Sequence, residues 1–118
     1  MAYASHEVVK TLCSKNLRLV NMKVSEMNIN QRRVYTLCVE ACNEYIGGWE
    51  NARDDAEPDS EEWKQANYML TQDHDTLVEW ILSDVRSTPE WKKLENLHFV
   101  TIEWTKERID KRLSKWGY

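Results

Sequence analysis

The chain has 118 residues, and its 16 basic and 20 acidic side chains give a formal net charge of −4. A chain of this length buries about two-thirds of its surface on folding, which suffices for a hydrophobic core without disulfides or a structural metal. Three glycines, two prolines and a 31% charged fraction exclude collagen-like and low-complexity sequences. Length and composition therefore predict one globular domain over residues 1–118.

The sequence also indicates the cellular compartment in which the protein is expected. No stretch approaches the roughly 18 consecutive apolar residues of a membrane span, and the first residues lack the basic and apolar regions of a secretory signal. The three cysteines, Cys13, Cys38 and Cys42, are an odd number, which is ordinary in a reducing compartment. We therefore expect a cytoplasmic protein without a membrane partner.

Helical periodicity dominates the first half of the chain. A first helix is predicted after Ser5, and residues 17–29 are interpreted as an irregular connection. A second helix is predicted from Asn28, because Gln31 stands at the capping-box spacing. The Gly47-Gly48 pair indicates either the end of this helix or a kink before a last turn through Ala56.

Two further helices are predicted in the second half. The third begins at Asp59 and carries an apolar stripe as far as Val85. The fourth begins with Thr88-Pro89-Glu90, carries its stripe through the β-prone run 99–102, and stops at Gly117. The sequence therefore predicts an all-α fold of about four helices in a bundle, the last two forming an antiparallel hairpin.

A candidate metal site follows from that hairpin. A turn near residues 84–88 places His74 and His98 opposite each other on the core-facing stripes, and Glu95 precedes His98 by three residues. Facing histidines and carboxylates in a bundle core are ligands for divalent transition metals. One alternative is a metal-binding helical-bundle enzyme that uses these residues. The other is that the two histidines are ordinary half-buried side chains.

A candidate interaction surface lies on the same predicted helix. Leu97, Val100 and Trp104 form a second apolar stripe roughly opposite His98, and Trp80 widens the apolar arc of the preceding helix. A helix that is apolar on two faces is covered either by another subunit or by its own chain, for example by residues 17–29. This pattern predicts a protein partner or a homodimer.

The middle of the chain is strongly acidic, since residues 51–90 carry three basic and eleven acidic side chains. The acids around the predicted loop are Glu50, Asp54, Asp55, Glu57, Asp59, Glu61 and Glu62. They indicate either a solvated loop or an electronegative patch for a basic partner, as in an acidic inhibitor or immunity-type protein.

The C-terminal segment is basic, because residues 91–118 carry seven bases and four acids. This segment combines basic and aromatic side chains, a combination that can bind nucleic acid, namely Trp104, Arg108, Lys111, Lys115 and Trp116. Pairing with the helix dipole explains the bases more simply, so nucleic acid is not the expected partner. No nucleophile, phosphate-loop or metalloprotease motif is present. The sequence therefore favours a small non-catalytic interaction protein that associates with itself.

Overall fold

The computed structural model describes residues 23–97 and 99–118, and every regular element in these two ranges is helical. A 3-10 turn at Val24–Glu26 is followed by α1 (Ile29–Cys42), a π-helical turn (Asn43–Gly47), α2 (Gly48–Asp55), α3 (Glu61–Leu70), α4 (His74–Arg86), α5 (Pro89–Leu94) and α6 (Ile102–Lys115). The all-α prediction is confirmed. The predicted helix after Ser5 lies outside the described residues.

The helix predicted from Asn28 begins there. The Asn28 side chain accepts a hydrogen bond from the Gln31 amide at 2.8 Å, and the Gln31 side chain accepts one from the Asn28 amide at 3.1 Å. This reciprocal pair satisfies two amides that have no partner within the helix. Gly47 and Gly48 do not end the helix, because the chain passes through the π-helical turn into α2.

The single helix predicted from Asp59 to Val85 is wrong in its extent, since the chain forms α3 and α4 with a break at residues 71–73. Ser60, one residue after the predicted cap, accepts from the Trp63 amide at 3.1 Å and starts α3. Asp73 accepts from the Thr76 amide at 2.8 Å and starts α4. The apolar stripe continues across the break, but a second N-cap redirects the backbone.

The predicted fourth helix is also divided in two. Thr88 caps α5 as expected, with its hydroxyl 3.2 Å from the Trp91 amide. After α5 the chain turns back, with Asn96 and Phe99 at φ 66° and the Asn96 amide donating to the Val100 carbonyl at 2.7 Å. Thr101 then caps α6. The β-prone run 99–102 therefore forms the end of a turn and the start of a helix.

The core forms where α1, α4 and α6 pack against one another. Helix α6 is antiparallel to α4, because His74 meets Asp110 at one end and Glu79 meets Lys106 farther along. Both pairs are centred near residue 92 rather than on the predicted turn at 84–88. The segment between Ser87 and Thr101 shifts the alignment, because it contributes α5 and a turn.

The remaining helices α2 and α3 form a second helical pair. Helix α3 packs mainly against α2, and the Arg53 guanidinium donates to the Asn67 side chain at 3.1 Å. The Tyr45 hydroxyl in the π-helical turn donates to the Met69 carbonyl at 2.7 Å and anchors the end of α3. The α2–α3 pair, which we call the arm, extends beside the three-helix core in a molecule of 54 × 32 × 21 Å.

Within residues 23–97 and 99–118, no helix combines the length and the apolar character that crossing a bilayer requires.

Candidate functional site

The tip of the arm is the short connection between α2 and α3. Helix α2 ends at Asp55, and Ala56 leaves it in an extended conformation with Pro58 shortly after. Asp59 has φ 67°, a left-handed conformation that Asp and Asn adopt more readily than most residues. The Ser60 amide donates to the Glu57 carbonyl at 3.0 Å, so the connection is a hydrogen-bonded turn.

Six of the seven acidic residues singled out from the sequence lie in this connection or in the adjoining turns of α2 and α3, and their side chains are exposed. They are Asp54, Asp55, Glu57, Asp59, Glu61 and Glu62. Lys64 forms an ion pair with Glu61 at 3.6 Å, but both side chains are more than half exposed, and such pairs contribute little. The arm therefore presents a concentrated negative surface, which we call the acidic tip.

Glu50 has a different role. It lies one helix turn before the tip and accepts a short hydrogen bond from the Tyr118 hydroxyl. Burial, and next the neighbouring Glu50 carboxylate, raise the pKa of Tyr118, so the phenol stays protonated and keeps donating. Glu50 therefore joins the arm to the C-terminal residue and is not part of the acidic tip.

The structure corrects the prediction that Leu97, Val100, Trp104 and Trp80 form an exposed apolar interaction surface. Val100 and Trp104 are 0% and 3% exposed, because the chain's own core covers them. Trp80 is half-buried, and Leu97 alone of the four is exposed. The prediction failed because α6 begins only at Ile102, so Leu97 and Val100 are not on a helix face with Trp104.

His74, a predicted metal ligand, is held by two hydrogen-bond acceptors. Its Nδ1 lies 3.1 Å from the backbone oxygen of Tyr118, and its Nε2 lies 3.1 Å from the Asp110 carboxylate. A doubly protonated ring donates to both acceptors. Burial lowers the pKa of His74, but these hydrogen bonds outweigh it and raise the pKa overall. In this arrangement the ring links α4, α6 and the C-terminal residue.

The other predicted metal ligands are not brought to His74 among the described residues. Glu95 follows α5 and lines a surface groove with Glu79 and Ser83 of α4 and with Ser87, which follows α4. His74 is the first residue of α4, and nine residues of helix from His74 to Ser83 span about 14 Å. His98 lies outside the described residues. Metal binding by His74, His98 and Glu95 therefore stays an untested prediction.

No group of three or more metal-binding side chains occurs in the part of the chain that the structure describes. Cys38 and Cys42 are free and buried along α1. Burial raises the pKa of both thiols, that of Cys42 to about 11, and so disfavours the thiolate that nucleophilic attack requires. Their role is packing.

A second charged surface was not assigned as a site from the sequence. A groove of about 360 Å³ lies between the 3-10 turn, α1 and α6, and Val24, Met27 and Tyr35 form its apolar part. Five of its eight lining residues are basic: Lys23, Arg108, Lys111, Arg112 and Lys115. We call it the basic groove. The helical spacing of the last four bases was visible in the sequence, but nothing placed Lys23 beside them.

Two bases of this groove, Arg108 and Lys111, have pKa values that burial lowers. Arg108 is 6% exposed, stacks on the Trp104 ring at 5.1 Å, and has its pKa lowered by burial. Burial, and next the Arg108 guanidinium, lower the pKa of Lys111, although Glu107 and Asp110 act in the opposite direction. Positive charge is therefore concentrated on one side of α6.

No family model, no curated protein and no solved structure matches this chain.

Proposed function

We propose that this protein is a non-catalytic interaction module that binds a basic protein surface through the acidic tip. The single observation that supports this proposal is the clustering of six exposed carboxylates within nine residues, at the end of α2, in the connection and at the start of α3. Charge that is complementary to the partner's raises the rate and the specificity of association, and the exposed carboxylates are accessible to such a partner.

The burial of Val100 and Trp104 favours binding through charged side chains over binding through the apolar surface predicted from the sequence. Val100 and Trp104 stabilise the core and are not available for an apolar interface. The acidic tip needs no rearrangement to be reached, because its side chains are already in solvent. Its partner is expected to carry clustered lysine or arginine side chains.

The proposal is tested with a peptide of about ten lysines as the basic probe, followed by fluorescence anisotropy. The test variant carries Glu57→Gln, Asp59→Asn and Glu61→Gln, where Asn keeps the left-handed backbone at position 59. We expect the affinity to fall at least about tenfold, and wild-type binding to weaken steeply as salt is added.

The matched control removes the same number of carboxylates elsewhere, through Glu40→Gln, Glu90→Gln and Glu103→Gln. All three side chains are exposed, and two of them lie in first helical turns, as Glu61 does. The control should bind within about twofold of wild type. Equal losses in the two variants would show that only total charge matters, and would refute the proposal.

A further inference from the structure

We infer that the basic groove is the receptor for the acidic tip of a second copy of this chain, so that copies associate head to tail. This inference rests on the proposed function of the acidic tip, and it names the partner. Two surfaces of opposite charge lie on one molecule, each formed by side chains clustered on neighbouring elements.

The two surfaces cannot meet within one molecule. Tyr35 of α1 lines the groove, whereas the acidic tip begins at Asp54. A continuous helical path through α1, the π-helical turn and α2 connects the two positions. Twenty residues of helix span about 30 Å, and this helical path keeps the two surfaces apart. A tip can therefore enter only the groove of another copy.

The shape and chemistry of the groove favour a protein segment as its ligand. Its apolar part, Val24, Met27 and Tyr35, suits the carbon atoms of a turn such as Ala56 and Pro58, which lie among the acids of the tip. Lys111 and Lys115 are exposed at its margin, where they can reach carboxylates. A nucleic acid would instead be repelled at long range by the net charge of −4.

Head-to-tail contact has a defined consequence for assembly. Each copy uses its tip on one neighbour and its groove on another, so the contact is heterologous and builds chains or rings rather than a closed two-fold dimer. The contact is small and mostly charged, which predicts reversible association that depends on concentration and disappears at high salt.

The test compares two charge-reversed full-length proteins by sedimentation velocity at about 50 mM salt. The groove variant carries Lys111→Glu and Lys115→Glu, and the tip variant carries Asp55→Lys and Glu57→Lys. All four positions are exposed, so the fold is expected to survive in both. The matched control is Lys92→Glu with Lys93→Glu, two exposed lysines in the last turn of α5.

We expect wild type and control to associate, and each charge-reversed variant alone to be at least about tenfold weaker in self-association. An equimolar mixture of the two variants should associate again, because the acidic tip of one meets the basic groove of the other. Raising the salt to about 1 M should disperse both the wild-type and the mixed assemblies.

The inference is overturned if wild type stays monomeric, if the groove variant associates as wild type does, or if the mixture remains monomeric. It is also overturned if the groove binds a single-stranded oligonucleotide, with loss in the groove variant, while wild type does not self-associate. In each of these cases binding of the lysine peptide to the tip can persist. The proposed function would then stand, with a different protein as its partner.

Discussion

At the scale of single residues, His74 is a polar side chain that joins two helices and the C-terminal residue. The ring of His74 lies between the Asp110 carboxylate and the Tyr118 backbone oxygen. Its position on the core-facing stripe follows from the sequence, but its partners do not. They come from α6 and from the C-terminal residue, 36 and 44 positions away along the chain.

The raised pKa of His74 predicts how stability depends on pH. A group whose pKa is higher in the folded state stabilises that state most when it is protonated. The contribution is therefore full below the unfolded value of about 6.5, and is lost as pH rises through the folded pKa. We expect His74→Gln to lower the free energy of unfolding more at about pH 5.5 than at about pH 8.5.

Urea unfolding followed by tryptophan fluorescence measures this difference at both pH values. Asp110→Asn provides the matched second variant, because it removes the charge that His74 faces and leaves a similar side chain. In the Asp110→Asn background the effect of His74→Gln should depend less on pH. An effect of His74→Gln that is equal at the two pH values in the wild-type background would contradict the prediction.

At the scale of the elements, N-caps determine where the chain divides. The apolar stripe of the predicted fourth helix passes through Leu94 and Ile102 without a gap, yet the chain leaves the helix after Leu94 and starts again at Thr101. The Thr101 hydroxyl accepts from the Trp104 amide at 3.0 Å. An apolar stripe predicts which residues are buried, whereas an N-cap residue indicates where a helix begins.

The cap at Thr101 gives a prediction for α6. Thr101→Ala leaves the Trp104 amide without its acceptor and should lower the free energy of unfolding by about 1 kcal/mol. Thr101→Ser is the control, because it keeps the hydroxyl and should lose much less. Chemical denaturation of the three proteins measures the difference, and equal losses in the two variants would show that the hydroxyl does not act as a cap.

At the scale of the whole molecule, the three-helix core and the arm differ in the side chains that they carry. The core uses the large apolar side chains, including Trp91 and Trp104, and the arm carries a cluster of six exposed carboxylates. Because Trp104 is enclosed by the chain itself, its substitution tests the core rather than an interface.

We therefore expect Trp104→Ala to cost about 3–5 kcal/mol of folding free energy, as is usual for removing a buried aromatic ring. Trp116→Ala is the control, since the Trp116 side chain is 37% exposed and its ring stacks on the Arg112 guanidinium. Thermal unfolding of both variants measures the difference. A Trp104→Ala protein that is fully stable but has a changed oligomeric state would contradict this prediction and would indicate that Trp104 lies in an interface.

The sequence alone predicts the helical class, the starts at Asn28 and Thr88, and the stop at Gly117. Each of these depends on contacts between residues three to five positions apart. The run of acids around residues 54–62 was equally visible, because charge is a property of composition.

Tertiary contacts, in turn, determine that Trp104 is covered, that His74 faces Asp110, and that Lys23 joins the bases of α6. These arrangements depend on where two breaks, at residues 71–73 and 95–101, redirect the chain. Each break shifts every long-range pairing beyond it. A local pattern cannot encode that shift, because the free energy that selects it comes from packing α1, α4 and α6 together.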